Sequence, residues 1–191
     1  MHLSDGTSMR LYRQTVQDFG LYPGLELSEE EYKRLQVAAG EMSAKMRAIR
    51  IVSASSISKR DLEQRLVHKG EDPEQAKQAV SWMSDLNLLD DRKTAEQIVH
   101  RCISKGYGIA RAKQALYEKR IPKEYWQEAL TDYPVQTDAI VAFLRSRLGA
   151  SWEDKDLRKA IDALLRRGHN YSEIREGLRQ LSLNEDFSEE Y

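Results

Sequence analysis

Apolar residues recur along this chain at helical rather than strand spacing, and the clearest run lies between Leu88 and Ile121. Ala95, Ile98, Val99, Cys102 and Ile103 fall at i, i+3, i+4, i+7 and i+8, the stripe of an amphipathic helix. Asp90 and Asp91 offer an acidic N-cap, and Gly106 offers a stop just past the stripe. A second stripe of Ile109, Ala112 and Leu116 follows at once. Pro122 then suits the first turn of a third helix carrying Trp126, Ala129 and Leu130. The pattern predicts a three-helix unit.

Similar units flank it. Upstream, Met42, Met46, Ile49 and Val52 form a stripe that a serine-rich connector breaks at residues 53–58. Ser58 and Asp61 cap a helix with Leu62, Leu66 and Val67 that stops at Gly70. Asp72-Pro73 starts another with Ala76, Ala79, Val80 and Met83 in register. Downstream, Ile140, Val141, Leu144 and Leu148 lead to a stop at Gly149. Leu157, Ala160, Ile161, Leu164 and Leu165 end in the Arg166-Arg167-Gly168 turn, and Ser172 is placed to cap a last helix with Ile174, Leu178 and Leu181. Leu66, Leu116 and Leu164 each precede a turn position by four residues, at Gly70, Arg120 and Gly168, giving a period of about 50 residues, that of a helical array.

Residues 1–40 read differently. Asp5-Gly6 is a hairpin signal, and Thr15 with Asp18 offers a capping box for a short turn. Ser28 with Glu31 makes a stronger box, ahead of a helix with Tyr32, Leu35 and Ala39.

Taken together, Leu89-Asp90-Asp91 before a helix, Lys105-Gly106-Tyr107-Gly108 with Arg111 between helices, and Leu116 with Lys119 before the next helix resemble the RecX family. Ser58, Leu62, Leu66, Lys69 and Gly70 match a further pattern of that family. Three departures stand out: Ser55 where an arginine is usual, Thr94 where an aromatic is common, and Arg120 in place of a lysine-glycine step. The family consists of regulators of the RecA recombinase built from tandem three-helix units. The resemblance therefore implies an all-α fold of three such repeats in an elongated, curved array, with a small N-terminal extension that holds a candidate β-hairpin. The expected divisions are an extension at 1–40, repeats at 41–91, 92–134 and 135–181, and an acidic tail at 182–191.

Composition narrows the partners. Charged residues make up 32% of the 191 and hydrophobic ones 40%, which suits narrow apolar stripes with wide solvated faces. No run is long and apolar enough for a transmembrane helix, the N-terminus lacks the apolar core of a signal peptide, and a single cysteine leaves a cytoplasmic address as the expectation. The net charge of −1 is uneven. Residues 92–131 carry nine basic and four acidic side chains, a surplus of +5, whereas the last ten residues carry −4. At 100° per residue Arg101 lies about 130° from the centre of its stripe, and Arg111 lies at a similar angle, so both are expected to face solvent.

Catalytic readings fare poorly. Cys102 falls inside an apolar stripe, as a buried core residue does. His2, His68, His100 and His169 lie in different units without ligand spacing, and capping accounts for Asp90-Asp91. The Lys105–Gly108 turn lacks the pattern of a phosphate cradle. Trp82, Trp126 and Trp152 lie in or beside apolar stripes, where packing explains them better than base stacking.

The sequence thus points to a non-enzymatic protein needing no cofactor. By resemblance it binds RecA and the RecA filament on single-stranded DNA, with weak direct DNA binding at most, as a monomer. It would there restrain recombinase, ATPase and coprotease activity. The partner-binding candidates are Arg101, Lys105, Arg111, Lys113, Lys119 and Arg120 of the basic repeat, followed by Arg166 and Arg167. A tandem helix-turn-helix-like DNA-binding regulator is the rival reading, and a passive scaffold is the third. Mixed charge on the last helix of the outer repeats argues against a DNA-reading helix.

Overall fold

The computed structural model describes residues 1–4, 6–148 and 153–186, the side chains of 183–186 excepted. Asp5, Gly149, Trp152 and the end of the acidic tail, which figure in the sequence reading, lie outside the described residues. Those residues form helices and no strand. An isolated antiparallel bridge joins His2 and Ser8, with the Leu3 amide donating to the Thr7 carbonyl at 2.9 Å. The chain divides into two compact units at Asp90/Asp91.

The first unit holds α1 (Arg13–Asp18), α2 (Glu29–Ala54), α3 (Lys59–His68) and α4 (Pro73–Asp85). The stripes expected at Tyr32–Ala39 and from Met42 onward are faces of one uninterrupted helix, α2. It opens on the predicted box: the Ser28 hydroxyl accepts the Glu31 amide at 3.2 Å, and the Glu31 carboxylate accepts the Ser28 amide at 2.8 Å. The Ser28 hydroxyl, which donates to the Glu31 carboxylate at 2.7 Å, and the Ser28 amide together hold the Glu31 carboxyl below its ordinary value. Ser58 and Asp72 cap α3 and α4 as their sequences predict. The Thr15–Asp18 box does not form. Thr15 is buried inside α1, whose N-cap is Tyr12, so its hydroxyl is not at a helix start. The core of this unit joins Ala44 and Ala48 of α2 to Leu62, Leu66, Ala76, Val80 and Met83.

The second unit holds α5 (Asp91–Ser104), α6 (Ile109–Glu118), a 3-10 turn at Lys123–Tyr125 leading into α7 (Trp126–Ala129), α8 (Thr137–Leu148), α9 (Asp154–Arg166) and α10 (Tyr171–Asp186). One core gathers Ala95, Ile98, Val99, Leu116 and Ile121, with Trp126 packed beside it and donating its indole N–H to the Ile121 carbonyl at 3.0 Å. Another gathers Ile140, Leu144, Leu148, Leu164, Ile174 and Leu181. The cap of α10 lies two residues earlier than Ser172. Asn170 and Glu173 form a reciprocal box, at 2.9 and 3.1 Å, and an asparagine amide serves as well as a hydroxyl there.

The same chain reversal closes α3, α6 and α9. The amides of Glu71, Ile121 and His169 donate to the carbonyls of Leu66, Leu116 and Leu164, five residues earlier, and those three leucines are fully buried. This closure requires a left-handed residue just before the bonded amide. Gly70 and Gly168 supply it at φ 89° and 88°, whereas Arg120 adopts φ 54° despite its side chain. A left-handed non-glycine residue costs about 1–2 kcal/mol. Arg120→Gly should therefore raise the free energy of unfolding by about 1 kcal/mol after glycine's own entropy cost is counted. Urea denaturation monitored by circular dichroism measures this, and an unchanged midpoint would place no strain at Arg120.

Candidate partner surface and the turn that organises it

The Gly106-Tyr107-Gly108 turn between α5 and α6 is bound to the rest of the second unit through its backbone. The Gly108 amide donates to the Arg167 carbonyl at 3.0 Å, and the Ala110 amide to the Gly168 carbonyl at 3.3 Å. The Tyr107 carbonyl accepts the Tyr133 hydroxyl at 2.7 Å. The Gly106 carbonyl lies 3.1 Å from His169 Nε2, which must carry the proton because a carbonyl only accepts. The approach is close enough to exclude a side chain on either backbone. A Cβ on Gly108 would overlap the Gly168 carbonyl, and one on Gly168 would overlap the Arg111 amide.

Burial tunes the groups at this junction. Loss of water pushes the Tyr133 hydroxyl up to about 12, with Cys102 and Glu173 adding to the effect. Desolvation also raises the thiol of Cys102, which is buried, and the charges of Arg111, Lys105 and Arg101 only partly oppose it. His169 is buried too, and desolvation takes its imidazole below the ordinary value, against the pull of the Gly106 carbonyl and the Glu173 carboxylate. With Nε2 protonated, the neutral ring turns its bare Nδ1 towards Glu173, 3.6 Å away. Among the described residues no group of three metal-ligating side chains occurs.

The cationic side chains expected to form the partner surface divide into two sets. Arg101, Lys105, Lys113, Arg120 and Arg166 are exposed. Arg111, expected to face solvent, is instead half-buried beneath the Gly168 turn, and its guanidinium pairs with Glu118 at 3.0 Å. Periodicity within one helix gives no sign of a neighbouring turn lying across its first residues. Lys119 is half-buried as well. Arg167 lies over the Phe143 ring, 4.4 Å from its centroid, and 6.0 Å from that of Tyr107. Trp82 stands half-buried under Lys45, 5.8 Å away, in a packing position. The sequence located both turns, Lys105–Gly108 and Arg166–Gly168, but not that one docks on the other.

A family model described as the second three-helix domain of RecX matches residues 90–130, which include α5, α6 and the glycine turn. Over that unit the chain is similar to the RecX family. The regulatory protein RecX of Vibrio campbellii is 27% identical over 146 residues, 75% of this chain and 93% of that one. RecX of Streptococcus gordonii is 24% identical over 190 residues, 97% of this chain and 74% of that one. A crystal structure of a regulatory protein RecX superposes with a TM-score of 0.66 at 19% identity, covering 92% of this chain and 91% of the other. That of RecX from Lactobacillus salivarius gives 0.64 at 21%, covering 76% and 99%. The helical fold is thus the RecX fold.

Two outcomes follow from the junction. Gly108→Ala should lower the stability of the protein by about 1–3 kcal/mol, because overpacked backbone must separate, and chemical denaturation will show it. His169 binds its proton less readily folded than unfolded. As pH falls through the ordinary histidine value of 6.5, the unfolded chain therefore takes up protons first and stability drops. Melting temperatures taken between about pH 7.5 and 5 should fall more steeply for the native protein than for His169→Gln. Parallel curves would remove His169 from the balance.

Proposed function

We propose that this protein is a non-enzymatic regulator of the RecA recombinase. It docks on RecA and on the RecA filament on single-stranded DNA, and its main effect is to inhibit recombinase, ATPase and coprotease activity. The observation that carries this reading is the similarity of the unit at 90–130, where the motif turn lies, to the second three-helix domain of RecX. The exposed cations Arg101, Lys105, Lys113 and Arg120 of that unit supply a contact surface for an anionic nucleoprotein filament, with Arg166 beside Gly168 as a neighbour. In the same reading residues 41–91, 92–134 and 135–181 act as three repeats in tandem. The protein works in the cytoplasm as a monomer, without a cofactor.

The decisive assay is ATP hydrolysis by RecA on single-stranded DNA with this protein added. Suppressed hydrolysis is expected, and hydrolysis unaltered at every concentration would sink the reading. Arg101→Glu with Lys113→Glu should change stability by less than about 0.5 kcal/mol, since both side chains are exposed. The pair should weaken filament regulation most at low salt, where screening is least. Undiminished regulation across a salt series would move the contact surface off this face.

A further inference from the structure

Within the second unit, α8 and α9 border a cleft of about 450 Å³ that the turn junction does not use. Asp156, Lys159, Ala160, Ala163 and Arg166 project into it from one face of α9, and Phe143 and Arg147, one turn apart on α8, form the opposite wall. Its floor is apolar, made of the buried Phe143 and Ala160 with Ala163. Its rim is cationic. Arg147 lies 5.5 Å from the Phe143 centroid, so this ring carries two guanidiniums, its own and that of Arg167. The single carboxylate in the lining, Asp156, is held by Lys159 at 3.3 Å. Among the described residues, no carboxylate reaches ion-pair distance of Arg147, Arg166 or Arg167. Arg47, Arg65, Arg92, Arg111 and Arg179 all have one.

Like charges gathered on one ring without a counter-charge repel each other, and an anion in the cleft would relieve that repulsion. We infer that this cleft binds a short acidic peptide segment with an apolar anchor, carried by the protein that this chain regulates. The face from Asp156 to Arg166 is about 15 Å long, the span of four or five extended residues. Guanidinium forks match carboxylates in two-bonded geometry, and the apolar floor suits an aliphatic side chain between acidic ones. A nucleic acid strand fits less well. The Phe143 ring is buried under Arg167 and offers no free face to a base, and the Asp156 carboxylate opposes an unbroken run of phosphates. The inference rests on the proposed function only in assigning the segment to the regulated partner.

The test uses the full chain and a fluorescein-labelled peptide of alternating glutamate and leucine, followed by anisotropy at low salt. Binding is expected, and it should weaken by about tenfold or more in Lys159→Glu/Arg166→Glu. Arg158→Glu, the same kind of reversal on another face of α9, should leave it intact. A glutamine version of the peptide should not bind, and oligothymidylate should not displace the probe. Equal affinity in the double variant, or no binding to the native chain, overturns the inference. Displacement by oligothymidylate makes the cleft a nucleic-acid site and overturns it too. Circular dichroism establishes that the variants are folded, and Arg166→Gln, with no reversed charge, replaces the double variant if that one is not. A chain that slows RecA ATP hydrolysis but binds no peptide loses this inference alone. A chain that binds the peptide at the cleft but leaves RecA untouched loses the proposed function instead.

Discussion

The second unit depends on the contact between two bare stretches of backbone, at Gly108 and at Gly168. Neither position tolerates a Cβ without overlap, so the main chains can meet and exchange hydrogen bonds directly. The rest of the junction follows from that approach. His169 comes within reach of the Gly106 carbonyl, and Arg111 is covered by the adjoining turn. Burial then does the electrostatic work. It raises the Tyr133 hydroxyl and the Cys102 thiol and disfavours the charged imidazole.

Helix closure shows how one backbone device is adapted to three surroundings. After α3, α6 and α9 the residue whose amide completes the reversal is buried, and each time it meets different chemistry. Glu71 accepts hydrogen bonds from Arg47 and from Ser43, the latter at 3.0 Å, tying the end of α3 to α2. Ile121 enters an apolar core. His169 bonds a carbonyl across the junction. The shared geometry fixes where this side chain points, and its identity sets what the turn is fastened to.

Much of this was legible in the residues. Helical periodicity located the stripes, and side-chain caps at Ser28, Ser58 and Asp72 marked helix starts correctly, because capping is a local matter of one oxygen and one amide. Local reading failed where two signals competed, as at Asn170 and Ser172. It also failed where a distant element intruded, as at Arg111. Periodicity separates inside from outside for an isolated helix, but it carries no information about a turn arriving from over fifty residues away. The pairing of the two glycine turns was hidden for the same reason. The exposed set of cations was readable, since Arg101, Lys105 and Lys113 lie off the apolar stripes and are exposed.

A junction made of amides and carbonyls bears on how such a chain can diverge. Side-chain interfaces are specified by what is present, and each partner restricts the other. Here the two central positions are specified by what is missing, while the groups that bond are common to every residue with a free amide. Neighbouring surfaces are then free to change charge, size and partner preference without disturbing the docking of one turn on the other. The fold needs few letters to encode this contact, which leaves most of the alphabet available for recognition.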